Sequence, residues 1–181
     1  MNVFEYIYKG DFDSVKSYIK NGGDINAIDE SGYTALNMAA ILKKDDIVKL
    51  LKKNGAKTDF FTEIAIGDIE AVKNYINEGV DTNSANKHGH QALMVAAHQG
   101  HIDIVKLLIS RNADINAKHS FSGNTALIGA THQGHIDMVK LLIDANADLN
   151  IKNNEEKTAL QIALGQGNTE IANLLKSAGA K

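Results

Sequence analysis

Short blocks of apolar residues recur along the chain with helical spacing. In the two clearest blocks, "IDIVKLLIS" (102–110) and "IDMVKLLID" (136–144), the apolar positions cover most of the helix circumference. A helix that is apolar nearly all round has neighbours on several sides, so these helices must pack in a stack. The pattern predicts six such helices, over residues 13–20, 46–53, 69–77, 103–110, 137–144 and 169–177.

A second kind of block, rich in alanine, precedes four of these helices. It reads "ALNMAA" (35–40), "ALMVAA" (92–97), "ALIGAT" (126–131) and "ALQIAL" (159–164), and a polar turn comes before each one. Small side chains let two helices approach closely. The sequence therefore predicts a unit of about 33 residues made of a polar turn, a helix, a tight turn, a second helix and a loop.

Glycine marks the register of the units. It occupies one equivalent position as Gly10, Gly67, Gly100, Gly134 and Gly167, while Lys43 fills that position in the second unit. Twelve residues later, only Gly and Asn occur, and these residues enter the left-handed conformation that ends a helix at low cost. The predicted helix stops are Gly22, Gly55, Gly79, Asn112, Asn146 and Gly179.

These units resemble the ankyrin repeat. The resemblance rests on "TAL" at 34–36, 125–127 and 158–160, on the "GH" turns at 100–101 and 134–135, and on the "NADIN" and "NADLN" loops. It implies an all-α fold, an α-solenoid of stacked helix-turn-helix repeats with projecting β-turns. Alanine replaces the family proline, and the family histidine is replaced by Asn37, Met94, Ile128 and Gln161, so the family's buried histidine network should be weak here.

The units predict a single ankyrin repeat domain over residues 1–181, with repeats near 1–27, 28–57, 58–84, 85–117, 118–150 and 151–181. The first and third repeats are truncated, because they lack the polar turn and the start of the first helix. "GDIEAVKNYINEGVDTN" (67–83) repeats "GDFDSVKSYIKNGGDIN" (10–26) after 57 residues, so we infer an ancient duplication of a short-plus-full pair of repeats. One turn should then be missing between Ser31 and His88.

Two nearly identical segments, 98–109 and 132–143, each carry two histidines three residues apart. A metal site would need three or four ligands converging on one ion, but Gly100 separates His98 from His101 at the turn between helices. We therefore favour structural roles over a metal site for these histidines, including His132 and His135.

Asp103 and Asp137 recur at a helix start, where the helix dipole favours them, and catalytic motifs are absent from the sequence. We expect neither an enzyme nor a cofactor.

Composition narrows the choice of partners. The chain has 181 residues, of which 44% are hydrophobic and 23% charged, and a net charge of −3 offers no basic excess for nucleic acid or anionic lipid. Cysteine is absent, and the amino terminus lacks the basic start and long apolar run of a secretory signal. We expect a cytoplasmic protein, although delivery into a host remains open.

The resemblance implies that another protein, rather than a small-molecule substrate, binds the concave face of turns and first helices. Aromatic residues are favoured as anchors, which singles out Tyr33 and Phe121. Phe121 lies in a turn one residue longer than the others, where it either projects or folds back on its neighbours. The family's contact positions correspond to Glu30, Ser31, Tyr33, Ile41, Leu42, Lys87, His88, His90, His98, Gln99, Phe121, Ser122, Asn124, His132, Gln133, Asn154, Glu155, Lys157 and Gln166.

All aromatic residues except Phe121 precede residue 76. Phe4, Tyr6, Tyr8 and Tyr18 either cover the end of the core, which we favour, or form a second contact surface. In the second case the chain is a scaffold that pairs with a copy of itself, whereas a monomer is expected in the first.

Overall fold

The computed structural model describes residues 2–181 and has twelve α-helices and no strands within that range. Two isolated antiparallel bridges, Ile28 to Thr34 and Ala85 to Gln91, close the bases of two polar turns. The predicted all-α fold of helix-turn-helix repeats is confirmed. The helices are α1 Val3–Lys9, α2 Phe12–Lys20, α3 Ala35–Ile41, α4 Asp45–Lys53, α5 Phe60–Ile66, α6 Ile69–Asn77, α7 Ala92–Gln99, α8 Ile102–Ser110, α9 Ala126–His132, α10 Ile136–Asp144, α11 Ala159–Gly165 and α12 Thr169–Ser177.

The helices pack into two compact units, divided between Ala71 and Val72. In the first unit, α1 packs on α2 and α3, and α3 packs on α4 and α5. In the second unit, α7 packs on α8 and α9, and α9 packs on α10 and α11, while α12 contacts α10 and α11. Within each unit, first helices therefore stack on first helices and second helices on second helices. The single-domain organisation stays a prediction.

The alanines predicted to allow close helix approach are buried. Ala39, Ala96, Ala130 and Ala163 are each 0% exposed in the middle of a first helix. Larger apolar side chains fill the space between the two helical layers, because both helices of a repeat turn an apolar face inward. The largest fully buried ones are Ile7, Leu36, Leu51 and Ile64 in the first unit, and Ile104, Leu108, Leu127, Ile128, Met138, Leu142, Ile171 and Leu175 in the second.

Threonine starts three of the first helices. The Oγ1 atoms of Thr34, Thr125 and Thr158 accept the backbone N–H three residues later, at 3.1, 3.3 and 3.3 Å. Asn37 and Gln161 return the bond to the backbone N–H of the threonine and so complete capping boxes. These two residues occupy the family's histidine position, so that position serves helix capping here.

Left-handed backbone ends the helices where the sequence predicted it. Gly22, Gly55, Gly79, Asn112, Asn146 and Gly179 all have positive φ, from 61° to 95°. Lys43 also has positive φ, 54°, at the position that glycine fills in the other repeats. A side chain carrying a Cβ is strained in this conformation, so Lys43 is a local source of instability.

The third repeat corrects one expectation, because its first helix is not shortened at the start. α5 has seven residues, as many as α3, and Asp59 caps it by accepting the backbone N–H of Thr62 at 2.7 Å. α1 of the first repeat also has seven residues. The truncation is thus confined to the polar turn. Sequence reasoning missed this helix start because an aspartate from the preceding loop replaces the usual threonine.

An asparagine at the end of four loops links neighbouring repeats within a unit, whereas the loop of the second repeat has Asp59 at this position. Asn26 Oδ1 accepts the backbone N–H of Lys57 at 2.8 Å. The same bond joins Asn83 to Asp114 at 2.7 Å, Asn116 to Asp148 at 2.8 Å and Asn150 to Lys181 at 2.9 Å. The final asparagine of the family-like loop is therefore a cross-repeat hydrogen-bond acceptor.

A candidate protein-binding face of turns and first helices

Three polar turns lie side by side in the second unit: turn 4 (85–91), turn 5 (118–125) and turn 6 (152–158). An asparagine side chain shapes two of them. Asn86 Oδ1 accepts the backbone N–H groups of His88 and His90 at 3.0 and 3.1 Å. Asn153 Oδ1 does the same for Glu155 and Lys157, both at 3.0 Å. These local bonds hold each turn in one shape.

Turn 5 has a histidine, His119, at the position of these asparagines. Its Nδ1 accepts the backbone N–H of Ser122 at 3.1 Å and lies 2.8 Å from Ser122 Oγ. Its Nε2 lies 2.9 Å from the backbone oxygen of His88 in turn 4. Because a carbonyl oxygen can only accept, Nε2 carries the proton and donates it to this bond. The His119 imidazole thus accepts a backbone N–H of its own turn, as the asparagines do in turns 4 and 6. It also links turn 5 to turn 4.

The His119 ring stacks on the His90 ring, with 4.3 Å between centroids. Desolvation, with a smaller contribution from the charge of nearby His119, lowers the pKa of His90 to about 4. His90 therefore stays neutral through the pH range in which ordinary histidines titrate, near pH 6.5.

On its other side, turn 5 is held by asparagines of turn 6. Asn154 donates from its backbone N–H to Ser122 O at 2.9 Å and from Nδ2 to Phe121 O at 2.8 Å. Asn153 Nδ2 donates to Asn124 Oδ1 at 2.9 Å. The three turns consequently form a continuous hydrogen-bonded row, and their tips have little freedom to move independently.

Phe121 projects from the tip of turn 5. Its side chain is exposed (73% for the residue), and the edge of its ring contacts His119 at a centroid distance of 5.7 Å. The two alternatives left open by the sequence are thus resolved largely in favour of projection. Lys87, Asn154, Glu155 and Lys157 are also exposed on these turns, while His88, His90, Ser122 and Asn124 are half-buried.

The carboxyl ends of the first helices add a row of polar side chains. Gln133 Nε2 lies 2.5 Å from His98 Nε2, and Gln166 Nε2 donates to the backbone oxygen of His132 at 3.1 Å. These four residues are exposed. Gln99 differs from the expectation for a contact residue, because it is 7% exposed and points into the protein. We therefore leave Gln99 out of the candidate face.

In the first unit, the equivalent positions are more mixed. Glu30, Ser31 and Ile41 are exposed, whereas Tyr33 and Leu42 are half-buried. Asp29 Oδ1 accepts the backbone N–H of Tyr33 at 2.7 Å, and burial, with a smaller contribution from the Asp29 charge, raises the pKa of the Tyr33 hydroxyl. Tyr33 thus offers less surface than Phe121.

The histidine pairs lie at the turns between helices. His101 and His135 are the residues just before α8 and α10, and His135 Nε2 lies 3.0 Å from the backbone oxygen of His98. Across residues 2–181, no three histidine, aspartate or glutamate side chains are grouped so that they could hold a metal ion. Asp103 and Asp137 lie on the exposed first turns of their helices, 3.9 and 3.4 Å from Lys106 and Lys140.

Aromatic side chains of the first repeat lie at the edge of the core, so both interpretations of this cluster stay predictions. Tyr8 is 72% exposed, and Phe4, Tyr6 and Tyr18 are half-buried. Val3, Ile7 and Val15 supply the buried positions instead. Val3 and Ile7 are four residues apart in "VFEYIYK", a spacing that places both on one face of α1.

Sequence analysis also missed an ion-pair cluster in the first unit. Lys52 Nζ lies 2.9 Å from a carboxylate oxygen of Glu63, which is buried, and 3.2 Å from Asp68. A glutamate is seldom fully buried without a partner, and Lys52 provides one. The cluster ties α4 to α5 in the repeat that lacks a turn.

The repeats assign the chain to the class of helical repeat proteins, in which pairs of helices stack side by side and the turns and first helices form one surface. The chain belongs to the ankyrin repeat family: the model described as "Ankyrin repeats (3 copies)" matches residues 60–153 and 112–181, and the model "Ankyrin repeats (many copies)" matches residues 3–52. Ankyrin repeats are generally protein–protein interaction modules and are typically non-catalytic. No helix in the described part of the chain is both long and apolar enough to cross a membrane.

Similar proteins come from several kinds of organism. The putative ankyrin repeat protein YahD of Escherichia coli (strain K12) is 31% identical over 121 residues, which cover 62% of this chain and 60% of YahD. Alpha-latrocrustotoxin-Lt1a of Latrodectus tredecimguttatus is 33% identical over 59% of this chain and 8% of the toxin. The NF-kappa-B inhibitor cactus of Drosophila melanogaster is 28% identical over 56% of this chain and 22% of cactus. The chain thus spans less than two thirds of each of these relatives.

Proposed function

We propose that this chain is a non-catalytic module that binds another protein through the tips of its polar turns and the exposed ends of its first helices. The single observation that carries the proposal is the hydrogen-bonded row of turns 4, 5 and 6, from which Phe121 projects. An ordered row limits the entropy lost on association, since the side chains that contact the partner are already held in place.

Phe121 is the proposed anchor of this face. An aromatic ring that is exposed in the free protein gains most when a partner pocket removes it from water, and such residues commonly dominate interface energy. The surrounding His98, His132, Gln133 and Gln166 side chains provide hydrogen-bond donors and acceptors for the rim. Lys87, Glu155 and Lys157 contribute charges of both signs, so the face has no single strong charge preference.

The test compares proteins captured by the natural chain with those captured by Phe121→Ala, Tyr33→Ala and the double variant. Loss of Phe121 should weaken binding of a purified partner about 30-fold, the effect of a typical interface anchor. Lys140→Ala, an exposed change on the second helix α10, is the matched control and should bind normally. Unchanged partners and unchanged affinity for all three variants would show that this face is not the binding face.

A second candidate function is self-association through the aromatic side chains of the first repeat. The observation in its favour is that Tyr8 and Phe12 are 72% and 37% exposed on neighbouring helices. Sedimentation velocity over a wide concentration range tests it, with Tyr8→Ser/Phe12→Ser as the comparison. A chain that remains strictly monomeric at the highest concentration eliminates this candidate.

A further inference from the structure

We propose that His119 is an acid-sensitive latch within turn 5, whose protonation breaks the bond that its Nδ1 accepts from the Ser122 amide and loosens the loop that carries Phe121. The conformational change is a property of the isolated chain. Its consequence, that a partner is bound less tightly in mild acid, rests on the proposed function of the Phe121 face.

The latch depends on a hydrogen bond that only a neutral imidazole can make. His119 Nδ1 accepts the Ser122 backbone N–H at 3.1 Å, while the proton on Nε2 is donated to His88 O at 2.9 Å. Protonation of Nδ1 places two N–H donors against each other at the Ser122 amide. The bond to Ser122 Oγ, 2.8 Å away, can survive by reversal, because a hydroxyl both donates and accepts.

The charge on protonated His119 is also poorly placed. The His90 ring lies 4.3 Å away and the two turns pack so closely that a Cβ added at Gly89 would lie 2.8 Å from Ser120 Cβ. His90 does not share the proton, because its pKa lies near 4. The titratable or charged groups on turns 4 and 5 around this pair are Lys87, His88, His90, Lys118 and His119, with His98 acting on His90 from α7. Acidification therefore adds positive charge to a cluster that is already basic.

The contacts that hold turn 5 to turn 6 do not respond to protons. The contacts with turn 6 are made by Asn153 and Asn154, whose amides do not titrate, and the bond from Asn154 N–H to Ser122 O is 2.9 Å. Turns 4 and 6 are shaped by Asn86 and Asn153 at the position that His119 occupies in turn 5. The histidine is thus the single titratable residue among three equivalent turn-shaping side chains. His119→Asn keeps a side-chain acceptor at this position without a titratable group, and it removes the bond to His88.

The experiment measures amide hydrogen exchange of the isolated full chain at pH 7.5 and pH 5.0, expressed as protection relative to the unfolded rate at each pH. The Ser122 amide should lose protection about tenfold at pH 5.0, as expected for one lost hydrogen bond, while the Asn154 amide keeps its protection. In His119→Asn, the Ser122 amide should be equally protected at both pH values. His101→Asn, which removes a histidine outside the turns, should keep the natural response.

Nitrogen chemical shifts of the imidazole provide a second measurement. At pH 7.5, His119 should show a protonated Nε2 and an unprotonated Nδ1. The opposite tautomer overturns the latch. Full Ser122 protection at pH 5.0 in the natural chain, an equal loss in His119→Asn, or a parallel loss at Asn154 also overturns it. None of these readouts needs a partner, so failure of the latch is distinguishable from failure of the binding proposal.

Discussion

Asp148 donates its backbone N–H to the side-chain oxygen of Asn116 at 2.8 Å, across the boundary between the loops of the fourth and fifth repeats. The same bond forms at the other three loops that end in an asparagine, each time with a backbone N–H of the loop in the next repeat. It stabilises the stack at the loops that follow the second helices, outside the proposed binding face.

We predict that Asn116→Ala lowers the free energy of unfolding of the second unit by about 1–2 kcal/mol, because the Asp148 amide loses its acceptor. Urea unfolding followed by circular dichroism measures the change. Asn173→Ala, at an exposed position of α12, is the control and should change stability by less than about 0.5 kcal/mol. Equal effects for both variants would contradict the role of the loop asparagine.

Replacing Lys43 with glycine should stabilise the first unit. The Lys43 backbone has φ of 54°, which glycine adopts without the clash of a Cβ, so Lys43→Gly should raise stability by about 0.5–1 kcal/mol. Lys43→Ala keeps the Cβ and should give no gain. The midpoint of thermal unfolding measures both variants, and a gain of equal size for alanine would show that the lysine side chain, rather than its backbone, is responsible.

Removing the partner of the buried Glu63 should destabilise α5. Lys52→Met leaves the Glu63 carboxylate without its cation, and we expect a loss of about 1–3 kcal/mol, less than for a fully buried pair because Lys52 is partly solvated. Lys49→Met on the same helix is exposed and should have little effect. Glu63→Met in the Lys52→Met background should restore much of the loss, and no recovery would argue against an unpaired charge as the cause.

The depressed pKa of His90 predicts lower stability in acid. In the unfolded chain His90 takes a proton near pH 6.5, whereas in the folded chain it does so only near pH 4, so the folded state loses stability as the pH falls from 6.5 to 4. Solvent screening leaves an expected loss of about 1 kcal/mol. Urea unfolding at pH 7 and pH 5 should show this loss, and His90→Asn should reduce it. An unchanged pH dependence in that variant would mean that other groups cause the loss.

Much of the fold was predictable because the repeat imposes the same physical requirement several times. Gly22 and Asn112, for example, occupy the same position in different repeats. Because glycine and asparagine share a tolerance for left-handed backbone, their recurrence indicates a helix stop, whereas either residue alone would not. The start of α5 was less predictable because its N-cap, Asp59, belongs to the preceding loop. The other first helices with a side-chain cap after a polar turn begin at a threonine, so the repeat pattern does not point to an aspartate. The burial of Gln99 and the exposure of Tyr8 depend on the side on which each helix packs, and short helices leave this ambiguous in the sequence.

The connections around turn 5 were beyond sequence reasoning for a different reason. Nothing in the sequence distinguishes His119 from the other histidines, whereas the structure gives it hydrogen bonds to two residues and a stacked neighbour. Those partners lie 3 residues away at Ser122 and 31 residues away at His88. Contacts between equivalent residues of neighbouring repeats become visible only when the repeats are placed side by side.

The extra residue of the fifth repeat separates Asn116 from Asp148 by 32 residues, where the other loop pairs are 31 apart, yet the bond keeps the same length. Length added at the tip of a turn therefore does not propagate into the stacked scaffold. New segments inserted beside Phe121 should alter which molecules the chain selects without refolding its repeats, so turn tips are the sites at which such a protein can diversify or be re-engineered.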